Sequence, residues 1–153
     1  MTIVHSPRTP LLVIGYGNEL RRDDGVGPKV AATVAEWGIP GVRALSVHQL
    51  TPELADSIAS ADRVVFVDAS IGATDSIQVN DIESNDSFQI LTHAADPRSL
   101  LALAKRTFGH CPPASWLSIP AQDLDFGDEL SPLALKGMAA ALERLRVLTQ
   151  SVV

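Results

Sequence analysis

Leu11-Leu12-Val13-Ile14-Gly15-Tyr16-Gly17-Asn18-Glu19-Leu20-Arg21-Arg22-Asp23-Asp24-Gly25-Val26-Gly27 changes character twice along its length. It opens on a short aliphatic run bounded by Pro10 and Gly15, the pattern of a buried strand. A glycine- and charge-rich stretch follows, from Gly15 to Gly27. Beyond it Val26, Val30, Thr33, Val34 and Trp37 recur at helical spacing, and Gly38 closes that helix. A strand that hands over to a helix through a glycine loop is the start of a βα unit.

The rest of the chain repeats the alternation. Val42 to Val47 predicts a second strand. Thr51-Pro52-Glu53 opens a helix, with threonine as N-cap and proline at the first helical position; Leu54, Ile58 and Ala61 mark its inner stripe. Val64-Val65-Phe66-Val67 is apolar without alternation, as a strand covered on both faces should be, and ends at Asp68. A more polar segment, Ser76 to Ile82, predicts an edge strand. Asp96-Pro97 starts a helix through Leu100, Leu101, Ala104 and Phe108, stopped by Gly109. Trp116-Leu117-Ser118-Ile119 predicts a fifth strand ended by Pro120. Ser131-Pro132 starts a last helix with the stripe Leu135, Met138, Ala141, Leu142, Leu145 and Leu148. The pattern predicts a three-layer α/β sandwich: a mostly parallel central sheet of about five strands, with right-handed crossovers placing helices on both faces.

Composition sets the outer bounds. A length of 153 residues predicts a single domain spanning 1–153. Hydrophobic residues at 46% and charged residues at 20% are globular proportions, and aromatics at 5% require an aliphatic core. A net charge of −6 argues against nucleic acid or an acidic membrane as partner, since each needs a basic footprint. The single cysteine, Cys111, excludes an intramolecular disulfide and a cysteine-only zinc site. No apolar run reaches the length of a membrane span, and Met1 to Pro10 contains no apolar leader core. The expectation is a soluble cytoplasmic protein.

Ligands of such sheets bind beyond the carboxyl ends of the strands. The polar residues expected there are Asn18, Glu19, Asp23 and Asp24 after the first strand, His48 after the second, Asp68 after the third, His93 after the fourth, and Gln122 and Asp123 after the fifth. Several chemistries fail at once. The glycine loop carries Leu20 where a dinucleotide fingerprint needs its third glycine, no acid ends the second strand, and Glu19, Asp23 and Asp24 would repel a pyrophosphate. No Gly-Lys-Ser/Thr follows to make a phosphate loop, and no serine sits in a Gly-x-Ser-x-Gly elbow.

The remaining constellation is Asp24, Asp68 and His93. Two carboxylates and an imidazole suit a divalent transition metal such as nickel, zinc, iron or manganese, and three protein ligands leave positions open for substrate or water. Each residue also has a simpler role. Asp68 would cap the loop after its strand, Asp24 would N-cap the first helix beside Gly25, and His93 would be a solvated loop histidine. Their convergence on one rim is what favours the metal. His110-Cys111 sits before a rigid Pro112-Pro113 turn, His5 lies in an N-terminal arm, and Asp123, Asp125, Asp128 and Glu129 make a solvated acidic loop.

The run from Gly15 to Gly27 resembles the N-terminal signature of the nickel-iron hydrogenase maturation proteases, Gly-x-Gly-Asn-x-Leu-x-x-Asp-(Asp/Glu)-Gly-x-Gly after a strand. Val64-Val65-Phe66-Val67-Asp68-Ala69 matches the strand that ends in the family's second acid, and His93 falls where the family keeps a histidine ahead of a helix. The likeness extends over nearly the whole chain. It implies an α/β sandwich endopeptidase that removes the C-terminal extension of the [NiFe] hydrogenase large-subunit precursor. It also implies that Asp24, Asp68 and His93 contact nickel carried by that substrate and serve the cleavage. Zinc or cadmium would occupy the same residues in the isolated protein. The chain departs from many members at the end of the second strand: in place of Asp-Gly-Gly it has Leu45-Ser46-Val47-His48-Gln49-Leu50-Thr51-Pro52-Glu53-Leu54, in which His48 either faces the site or caps the next helix. Two other classes stand beside this one. A phosphoacceptor signalling domain would use Asp23, Asp24 and Asp68, yet Ser118 to Gln122 lacks the lysine it needs. A non-catalytic binder of the precursor would keep the same ligand set.

Overall fold

The computed structural model of the chain describes residues 8–72, 74–84 and 96–152. Its centre is a sheet of five strands in the order β2-β1-β3-β5-β4, where β1 is Leu11–Tyr16, β2 Val42–Val47, β3 Val64–Ser70, β4 Gln78–Ile82 and β5 Ala114–Pro120. β2, β1, β3 and β5 run parallel, and β4 pairs antiparallel to β5 at one edge. The mostly parallel sheet and its polar edge strand follow the sequence prediction.

Side chains alternate across a strand, so each apolar strand feeds two layers. Leu12, Ile14, Val64 and Phe66 pack on one face with residues of α2 (Leu54–Ala59) and α3 (Pro97–Phe108). Leu11, Val13, Val65, Val67, Leu117 and Ile119 pack on the other with α1 (Val26–Glu36) and α4 (Pro132–Gln150). This is the three-layer sandwich. Each fully buried aliphatic side chain contributes about 1.5–3 kcal/mol, and the two clusters together hold the helices against the sheet.

Helix starts follow the predicted chemistry at two of three places. The Asp96 carboxylate accepts from the Arg98 N–H at 2.8 Å, and the Ser131 hydroxyl from the Ala134 N–H at 3.2 Å, with Pro97 and Pro132 opening the helices. The third differs. α2 begins at Leu54 behind Glu53, and the Thr51 hydroxyl caps nothing. Instead the carbonyls of Thr51 and Pro52 accept from the N–H groups of Leu54 and Ala55, making a turn ahead of the helix.

Three strands outrun their predictions. β5 runs from Ala114 to Pro120 instead of Trp116 to Ile119. β1 continues through Gly15 to Tyr16 because β2 keeps pairing with it, and β3 passes Asp68 to Ser70 because Ser118, Ile119 and Pro120 of β5 continue the ladder. Among the described residues no helix is long and apolar enough to cross a membrane.

Candidate functional site

The loop after β1 is pulled tightly onto the sheet. A Cβ at Gly15 would lie 2.0 Å from the Gly27 carbonyl oxygen, so α1 crosses β1 at a distance only glycine permits. Gly17, at φ 146°, takes a backbone conformation that side chains rarely adopt, and a Cβ there would lie 1.9 Å from the Asp24 carbonyl oxygen. A single 3-10 turn, Arg22–Gly25, then leads into α1. Gly25, not Asp24, flanks the helix, so the N-cap role considered for Asp24 does not hold. Its carboxylate accepts from the Asn18 N–H at 2.8 Å, across the loop rather than along the helix.

The two adjacent aspartates do opposite jobs. Asp23 is fully buried. Its Oδ2 accepts from the N–H groups of Gln122 and Asp123 at 2.9 and 3.0 Å and from the Ser131 hydroxyl at 2.7 Å, and its Oδ1 accepts from the Ser131 N–H at 2.7 Å. Burial pushes its pKa up, but these four bonds outweigh burial and hold it below the usual carboxylate range. Arg22 supports the same junction through an ion pair to Asp123 at 3.2 Å. Asp24 is half-buried and bonded only within the loop among the described residues.

Asp68 stands near the end of β3. Its Oδ2 accepts from the Tyr16 hydroxyl at 2.9 Å and its Oδ1 from the Trp116 indole N–H at 3.0 Å, so its side chain does not cap the following loop. Burial pushes its pKa up, hydrogen bonds from Trp116, Tyr16 and Ser118 pull it down, and the charge of Asp24 adds to the rise, leaving it above the ordinary value. The same environment raises Tyr16: burial first, then the charge and hydrogen bond of Asp68, then the charge of Asp96 at the start of α3.

Solved structures share this architecture. The hydrogenase maturating endopeptidase HybD of E. coli is 19% identical, with a TM-score of 0.71 over 94% of this chain and 93% of its own. The [NiFe] hydrogenase maturation protease HycI of Thermococcus kodakarensis KOD1 is 23% identical, with a TM-score of 0.73 over 96% of each chain. The HybD protease of Thermococcus kodakarensis is 21% identical, with a TM-score of 0.65 over 92% of this chain and 99% of its own. The chain has the fold of the [NiFe] hydrogenase maturation proteases. No family model matches the sequence, and no curated protein does.

On this maturation-protease fold, two of the three predicted site residues come together. Asp24, in the 3-10 turn after β1, and Asp68, near the carboxyl end of β3, are close enough that the charge of Asp24 raises the pKa of Asp68. His93 lies outside the described residues, as does His5. Among the described residues no group of three or more His, Cys, Asp or Glu side chains could hold a metal ion. His48 is exposed, His110 is exposed, and Cys111 is a half-buried free thiol packed against the core. Asp123 is half-buried and bonded to Arg22, so part of the acidic loop is structural. Sequence reasoning missed Tyr16 and Trp116. The signal was a polar-tipped aromatic on a strand next to β3, and it becomes readable only once the strand order is known.

Proposed function

We propose that this chain is an endopeptidase that removes the C-terminal extension of a [NiFe] hydrogenase large-subunit precursor, and that Asp24, Asp68 and His93 recognise the nickel held in that precursor. The observation that carries this reading is the pairing of Asp24 with Asp68 at one rim of a maturation-protease fold. A carboxylate whose ionisation is opposed by burial and by the charge of a second carboxylate nearby, as Asp68 is by Asp24, marks a place that favours a cation. Oxygen donors with one imidazole match a divalent metal of borderline softness. Because the metal arrives with the substrate, the protein need only complete its coordination, and a full ligand cage of its own is not required.

Docking on the metal would bring the adjacent peptide bond to the rim, so proximity supplies much of the acceleration. Asp24 or Asp68 would then take the proton of the attacking water, while the substrate's nickel polarises the scissile carbonyl. His93 must be neutral to ligate, so docking weakens as it protonates.

The experiment is mass measurement of the precursor's C-terminus after incubation, nickel-loaded against nickel-free. Wild type is expected to shorten only the loaded form. Asp24→Ala, Asp68→Ala and His93→Ala are each expected to lose at least about a hundred-fold in kcat/KM. Full activity in the triple variant would end the reading; binding without any shortening would leave a non-catalytic precursor binder.

A further inference from the structure

Asp68 is held from both sides of its own strand. β3 lies between β1 and β5, and one donor reaches over from each: the Tyr16 hydroxyl to Oδ2 at 2.9 Å and the Trp116 indole to Oδ1 at 3.0 Å. The terminal torsion of an aspartate is soft and broadly two-fold, so an unrestrained carboxylate samples many orientations. Here, turning the group away from one donor loses that bond, and each oxygen has its own donor. Both donors are themselves fixed, since Tyr16 and Trp116 pack against the buried cluster beneath α2 and α3. Neither can reverse its role. Indole N–H only donates, and the Tyr16 hydroxyl meets a carboxylate oxygen that accepts its hydrogen bond.

We propose that Tyr16 and Trp116 are positioning residues of the candidate site, holding the Asp68 carboxylate in the orientation that presents its remaining lone pairs to the substrate's metal. The inference rests on the nickel-reading function proposed above and extends it to two residues that need never touch substrate. A ligating carboxylate with its hydrogen-bond partners in place is pre-organised, and removing such partners ordinarily weakens metal binding by about ten- to a hundred-fold.

Cadmium alone, titrated calorimetrically into the full chain, is the probe. Tyr16→Phe and Trp116→Phe are each expected to weaken cadmium binding by about ten-fold, and the double variant by more. In an Asp68→Ala background the same substitutions are expected to change nothing further, because their effect runs through Asp68. A merely structural role would lower the thermal midpoint and leave cadmium affinity alone. Tyr16→Phe keeps the ring and its packing, so it carries the test even if Trp116→Phe fails to fold. Unchanged affinity in Tyr16→Phe while Asp68→Ala weakens binding would overturn the positioning role only. Equal weakening by Tyr16→Phe with and without Asp68 would overturn it too. Wild-type cadmium binding in Asp68→Ala would instead remove the metal reading of Asp68 and the positioning role with it.

Discussion

Asp23 joins parts of the chain about a hundred residues apart in sequence, taking donors from Gln122, Asp123 and Ser131. Ser131 bonds it and also caps α4, so one carboxylate ties the loop carrying Asp24 to the start of the last helix. Removing it leaves the backbone N–H groups of Gln122, Asp123 and Ser131 and the Ser131 hydroxyl without their acceptor. Asp23→Ala is therefore expected to cost about 3 kcal/mol or more in urea unfolding. The pH dependence has a definite sign. The folded pKa lies below the unfolded one, so the stabilisation is fully present above the unfolded value and fades as pH falls through the folded value. Asp23→Asn keeps the shape but turns an N–H₂ toward donors, so it is expected to be less stable than wild type at neutral pH. The gap between the two should narrow as the solution is acidified below the ordinary aspartate range. Urea titrations at a series of pH values measure this directly, and a gap that widens on acidification would contradict it.

At the scale of elements, the crossing of β1 by α1 controls where Asp24 sits. An alanine at Gly15 would place its Cβ 2.0 Å from the Gly27 carbonyl oxygen and 2.9 Å from the Ala31 Cβ, so α1 must move off the sheet. Gly15→Ala is expected to cost about 3 kcal/mol, at the upper end for overpacking. On the function proposed above it should also reduce precursor cleavage, because the turn carrying Asp24 moves with the helix. Denaturant unfolding and cleavage rates measured on one preparation check both parts. The same crossing shows what the sequence made legible. Strand and helix positions followed from aliphatic runs and from Pro and Gly punctuation, and Asp96 and Ser131 cap where their sequence said. Thr51 did not cap, because Thr51 and Pro52 were spent on a turn whose carbonyls, not hydroxyl, meet the helix. Asp24 and Asp68 were legible as rim residues because parallel strands place their carboxyl ends on one side and because both acids sit in the motifs that carry the family resemblance. The bonds from Tyr16 and Trp116 were not, because they depend on β1 and β5 flanking β3, and no local pattern in 153 residues encodes strand order.

The whole molecule has two unlike ends, because four parallel strands all point the same way. At the carboxyl end, Asp24 and Asp68 meet among Tyr16, Trp116 and the start of α3. At the other end a cavity of about 190 Å³ opens between β4, β5 and α4, bounded by Arg63, Asp81, Ser115 and Arg144. There the Ser115 hydroxyl donates to Asp81 at 3.1 Å, while Arg63 and Arg144 form no ion pair among the described residues. On the function proposed above, a cleft with two arginines is a rival to the carboxyl end for holding the precursor's C-terminal extension. They predict different outcomes. If the substrate is read at the carboxyl end, the Arg63→Ala, Arg144→Ala double variant should cleave the nickel-loaded precursor within about two-fold of wild type, as distant and uncoupled positions do. Its stability should shift by no more than about 0.5 kcal/mol, since both side chains are exposed. If the extension is held at the far end, KM should rise with kcat unchanged, the signature of lost uniform binding. Steady-state kinetics at several precursor concentrations separate the two outcomes. A rise in KM beyond about ten-fold in a folded double variant would transfer substrate recognition to the arginine end, leaving Asp24 and Asp68 with the chemistry alone.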